Sequence, residues 1–127
     1  MSVYEVNTDL LKKLAPDLII TQAQCEACAV SLNDVKKAVS DWVGNKPDIV
    51  SLEPNYLDEV WSDFERVGEK LNSSDSYLKF KTEIEQRLEN LKQKSQHLSK
   101  RPTVVCVEWI DPLMIAANWV PELVDIA

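Results

Sequence analysis

The spacing of apolar residues changes character several times along the chain, and each change marks an element. Leu10, Leu11 and Leu14 fall on one side of a short helix that Asn7 or Thr8 can cap and that Ala15-Pro16 ends. DLIIT, Asp17 to Thr21, is apolar on both faces and bounded by turn chemistry, the pattern of a buried parallel strand. Leu32, Val35, Val39 and Trp42 then recur at helical spacing behind Ser31 and Asp34, which approximate a capping box, and Gly44 closes that helix. PDIVSLEP supplies a second strand centred on Ile49 to Leu52, so these pieces make one strand-helix-strand unit.

The second half of the chain is more helical. Asn55 and Asp58 open a helix carrying Leu57, Val60, Trp61, Phe64, Val67 and Leu71, and NSSDS breaks it. From Asp75 to about Leu98 a longer helix spaces Tyr77, Phe80, Ile84, Leu88 and Leu91 by threes and fours. Its run KTEIEQRLENLKQK interleaves acid and base as a solvated face does. Arg101-Pro102 stops it. TVVCVEW, Thr103 to Trp109, has the composition of an interior strand, Pro112 forces a turn, and Pro121 fits the first position of a new helix. A strand so apolar needs partners on both edges, which leads us to expect further lobe structure or a partner chain. The fold class expected is α/β, with Rossmann-like parallel strands, flanking helices and one long helix.

Charge narrows the function classes. With 14 Lys and Arg against 21 Asp and Glu, a net charge of −7 repels phosphate backbones and anionic membrane surfaces, which argues against a nucleic-acid partner. No apolar run approaches the roughly 20 residues that span a bilayer, which argues against membrane insertion. MSVYEVNTDL lacks the basic start and apolar core of a secretory signal.

The candidate chemistry is CEAC, Cys25 to Cys28. A closed zinc site would need two further soft ligands, and only Cys106 and the single His97, near the end of a long helix, remain. No metal is expected. A thiol-redox function wants the first cysteine on a helix N-terminus, where amide dipoles lower its pKa, but Ser31 takes the cap and leaves CEAC in the preceding loop. The chain is therefore expected not to be an enzyme and to need no cofactor, with a CxxC redox protein as the lesser alternative. A disulfide between Cys25 and Cys28 stays open in an oxidising compartment.

The order APDLIITQ, the SLNDVKKAV helix, VSLEP, a long charged helix and RPTVVCVEWIDPLMIAANWVPELV resembles the cobalamin-binding branch of the class III solute-binding proteins of ABC importers. The resemblance covers essentially the whole chain and rests on order and spacing. It implies two lobes, each a parallel sheet flanked by helices, joined by a long helix with ligand held between them. On that basis residues 2–72 resemble the second half of the N-terminal lobe, 73–101 the connecting helix and 102–127 the start of a C-terminal lobe. The chain would then be a fragment, binding ligand weakly or not at all on its own.

What the resemblance implies about the site follows from where open parallel sheets bind ligand, beyond the carboxyl ends of their strands. Gln22, Gln24, Cys25 and Glu26 would line one side and Trp109, Asp111, Pro112 and Trp119 the other. Tryptophan and proline present rigid apolar area to a flat macrocycle. Cobalamin members often carry an aromatic residue near Gln22; here polar Gln22, Gln24 and Glu26 suit the amide side groups of a corrinoid or another ligand. Trp42 and Trp61, on helical apolar stripes, are expected to pack in the core. Asp9 matches the surface carboxylate with which such proteins dock on the importer permease, against an ordinary helix-dipole role. The resemblance places relatives in the periplasm, while the missing signal leaves the cytoplasm open. The class competing with a ligand-binding module is an interaction or assembly module, and the unpaired apolar strands predict a homodimer unless missing lobe pieces cover them.

Overall fold

The computed structural model describes residues 5–24, 30–40, 42 and 46–127. The chain is mixed α/β, with a small parallel two-stranded sheet and flanking helices, and it divides into two compact units, Met1–Glu53 and Pro54–Ala127.

In the first unit, α1 (Thr8–Leu14) begins as its sequence predicts, because Asn7 Oδ1 accepts from the Leu10 amide at 3.0 Å. It ends on Ala15, a residue with a side chain in the left-handed region at φ 44, whose amide donates to Leu11 at 3.1 Å. β1 (Leu18–Gln22) and β2 (Asp48–Leu52) pair parallel in the register Leu18↔Asp48 to Gln22↔Leu52. Between them runs α2 (Leu32–Ser40). Ser31 caps it twice over: its Oγ accepts from the Asp34 amide at 3.1 Å and donates to Asp34 Oδ2 at 2.7 Å.

The core of this unit is Val35, Ala38 and Val39 on one face of α2, together with Val50 of β2. Burying a valine contributes about 1.5–3 kcal/mol, so these three valines hold helix to sheet more strongly than either cap. β1 is less covered than its composition predicts, since Ile20 stays exposed. The reason is that a two-stranded sheet offers few neighbours to cover both faces of a strand. α2 stops at Ser40, before Trp42, which is half-buried and turns its indole N–H onto the Ala38 carbonyl at 3.1 Å. Gly44 lies outside the described residues.

The second unit is built on a helical hairpin of α3 (Leu57–Lys70) and α4 (Ser74–Gln96). Asn72, in the left-handed region at φ 50, lets the chain reverse in three residues. The Ser73 amide donates to Gly68 at 2.8 Å and the Asn72 amide to Glu69 at 3.1 Å, the paired bonds of a Schellman motif. Gly68 is where the helices approach, since a Cβ there would stand 3.0 Å from the Cβ of buried Tyr77. Tyr77 also donates its hydroxyl to the Trp61 carbonyl at 3.1 Å, and Phe64 meets Phe80 with ring centroids 5.4 Å apart. Trp61 is half-buried at the edge of this packing rather than enclosed by it. Asp63, buried on α3, is held by Arg66 at 2.6 Å. Only Tyr77 and Ser95 of α4 are buried, so the helix is solvated along most of its length, its charge run included.

TVVCVEW predicts one long strand, but the strand is β3 (Val107–Ile110), and it pairs antiparallel with β4 (Leu113–Ile115) across a turn whose Asp111-Pro112 peptide is cis. Residues 103–106 are not strand. The physical reason lies in the turn: Pro112 brings Leu113–Ile115 back as a local partner, and local pairing meets the backbone's hydrogen bonds without a distant strand. α5 (Val120–Ile126) follows, with Pro121 in its first turn but as its second residue, one place after the first position that the sequence predicts.

Candidate functional site

In the first unit the strand end that the sequence singles out is Gln22, the last residue of β1, opposite Leu52. The ladder runs one bond further, from the Ala23 amide to the Leu52 carbonyl at 3.1 Å, so Gln22 and Gln24, both exposed, emerge from a fixed backbone. Cys25, Glu26 and Cys28 fall among residues 25–29, outside the described residues. Asp9 is exposed in the first turn of α1, the place where a carboxylate also complements the helix dipole.

In the second unit the turn gathers Trp109, Asp111 and Pro112. Trp109 remains 58% exposed although it is the largest apolar residue of the hairpin. Its indole is nevertheless tied down: Nε1–H donates to the Asp111 carbonyl at 2.8 Å, so the ring is held against the turn while more than half of the residue stays exposed. The register shifts between Val107, opposite Ile115, and Trp109, opposite Met114. One extra residue, Glu108, is thereby accommodated as a bulge. Cross-strand partners share a face, so Met114 flanks Trp109. Sequence reasoning missed Met114; the Asp-Pro turn between two apolar runs was the signal that could have found it.

Trp119, the fourth predicted residue, is half-buried at the N-cap of α5. It follows Asn118, a left-handed residue at φ 55. α5 itself is tied down at both ends. Glu122 Oε1 accepts from the Leu57 amide at the start of α3 at 2.9 Å. The terminal carbonyls of Asp125 and Ile126 accept from Arg101 Nη2 at 2.6 Å and Ser95 Oγ at 3.1 Å. Beside these lies an open cavity of about 540 Å³ whose walls include Leu98, Arg101, Pro102, Val104, Pro121 and Val124. No sequence signal marked it, because its lining comes from two stretches, 98–104 and 121–127, that lie apart in the chain.

Among the described residues there is no group of three or more His, Cys, Asp or Glu that could hold a metal ion. Among them, too, no helix is long and apolar enough to cross a membrane. Cys106 is a half-buried free thiol whose carbonyl accepts from the Ala116 amide at 2.8 Å, extending the hairpin by one bond. No family model, no curated protein and no solved structure matches the chain.

Proposed function

We propose that the chain is a non-catalytic ligand-binding module for a corrinoid such as cobalamin, of the kind that serves an ABC importer. The observation that carries the reading is the indole of Trp109, pinned by its Nε1–H to the Asp111 carbonyl yet more than half open to solvent. A fixed aromatic face costs little further entropy when a flat ligand stacks on it. Pro112 and Met114 extend the same apolar surface with rigid and polarisable groups respectively. In the first unit, Gln22 and Gln24 offer amide groups at the carboxyl end of β1, where parallel sheets bind ligands. The sequence order that resembles the cobalamin-binding solute-binding proteins supports the same reading, and with it the proposal that Asp9 meets the permease.

Titration of the chain with cyanocobalamin, followed by tryptophan fluorescence and by co-elution of the corrinoid absorption in gel filtration, tests this. The expected result is saturable quenching with a Kd in the micromolar range, about −8 kcal/mol, because the aromatic wall of one unit covers only part of a ligand of this size. Absence of saturable quenching and of co-elution up to about 1 mM, a range that would detect even −4 kcal/mol, rejects the proposal. A second reading, an assembly module that binds another protein chain, is favoured by the number of apolar side chains that the hairpin leaves exposed.

A further inference from the structure

The bulge at Glu108 gives the β3–β4 hairpin two apolar faces rather than one. Val107 lies opposite Ile115 and Ile110 opposite Leu113. Leu113 and Ile115 share a face by the two-residue period of a strand, so all four side chains point the same way, and Trp109 with Met114 points the other. The four-residue face is open: Ile110 is 83% exposed and Leu113 69%, with Ile115 and Val107 above half.

We propose that this face, Val107, Ile110, Leu113 and Ile115, is the interface with a second copy of the chain. From those exposures the face presents an area on the order of 450 Å², comparable to the apolar share of a standard interface, which buries roughly 800 Å² per partner at somewhat over half non-polar. A two-fold contact sets a patch against itself, and a patch of one charge sign would repel its copy. These four side chains carry no charge, although the chain as a whole is at −7. An isolated two-stranded hairpin is marginal in water, and packing two of them face to face makes a small sandwich that each covers for the other. The face is distinct from the Trp109 side, so the inference stands whether or not the chain binds a corrinoid.

The test is the mass of the ligand-free chain by light scattering coupled to gel filtration, over a tenfold concentration range. A thiol reductant keeps cysteines from linking two chains, and about 0.5 M salt shortens the Debye length below 8 Å so that the acidic surfaces do not mask association. The wild-type chain is expected at about twice 14.4 kDa. Ile110→Lys with Leu113→Lys is expected at the monomer mass with the same helical circular dichroism, since both side chains project into solvent; the milder Leu113→Asn is expected to raise the dissociation constant at least tenfold. Trp109→Ala, on the opposite face, is expected to stay dimeric. A wild-type mass of 14.4 kDa throughout would mean that something other than a second copy covers the face, and would overturn the proposal. So would a dimer that the Lys and Asn variants leave equally tight, or one that Trp109→Ala dissociates as readily.

Discussion

Glu122 and Leu57 stand 65 residues apart in the chain, yet the Glu122 carboxylate accepts the first amide of α3 at 2.9 Å. One side chain on α5 thus does for α3 what an N-cap residue would normally do from within it. Tyr56, at the cap position, makes no such side-chain bond. Replacing Glu122 with Ala is expected to destabilise the second unit by about 1 kcal/mol, the usual cost of losing a cap. Glu122→Gln, which keeps the oxygen acceptor and loses the charge, is expected to recover about half. Urea denaturation followed by far-UV circular dichroism checks both, and equal losses for the two variants would show that charge rather than the bond matters.

Gly68 sets two effects against each other. Alanine is the better helix former by about 1 kcal/mol. Against that, its Cβ would meet the Tyr77 Cβ at 3.0 Å, and Tyr77 is buried and held by its hydroxyl to Trp61. A Cβ cannot swing aside as the far end of a side chain can, so the helices must separate, at about 1–3 kcal/mol. Gly68→Ala is therefore expected to lower stability by about 1 kcal/mol net, and a gain in the denaturation midpoint would show that the helix pair tolerates the wider spacing.

Ala15 ends α1 at φ 44, a region that costs a residue with a side chain about 1 kcal/mol. Glycine removes that strain but starts from a freer unfolded chain. The first term is larger, so Ala15→Gly is expected to stabilise the first unit by a few tenths to about 0.5 kcal/mol, read as a higher protection of the α1 amides in hydrogen exchange.

Trp109→Ala removes an exposed ring, so its expected effect on folding is within about 0.5 kcal/mol. Its effect on cyanocobalamin affinity is expected to be at least tenfold, about 1.4 kcal/mol. Fluorescence of the remaining three tryptophans and equilibrium dialysis measure the two quantities separately. An unchanged affinity would remove Trp109 from the ligand surface.

The helices and the parallel pair were legible because their patterns carry contrast. Val35, Ala38 and Val39 against Asn33, Lys36 and Lys37 mark one face of α2, and Ser31 with Asp34 marks its start. Pro121 marked α5 in the same local way. TVVCVEW carried too little contrast: the apolar run from Val104 to Val107, with Glu108 its one charged residue, says that a strand is there, but neither where it begins nor which strand it joins. The partner was encoded in the next six residues, by an Asp-Pro turn and a short apolar return. At the candidate site, the position of Trp109 near a strand end was legible, whereas its fixation by the Asp111 carbonyl depends on backbone geometry that no residue type announces. The Glu122 tie to Leu57 was illegible for a related reason, since a glutamate in the first turn of a helix already has a local explanation in the dipole.

The parallel pairing of β1 with β2 has a kinetic consequence. A hairpin such as β3–β4 can close over two residues, but no ladder bond between β1 and β2 can form until residues 23–47 have returned the chain to its starting edge. α2 lies within that return and carries three of the unit's buried side chains. The amides that β1 directs at β2 are therefore expected to exchange faster when α2 is loosened, so that a hydroxyl at Ser31, ten residues beyond Thr21, bears on how long the Thr21 amide keeps its deuterium.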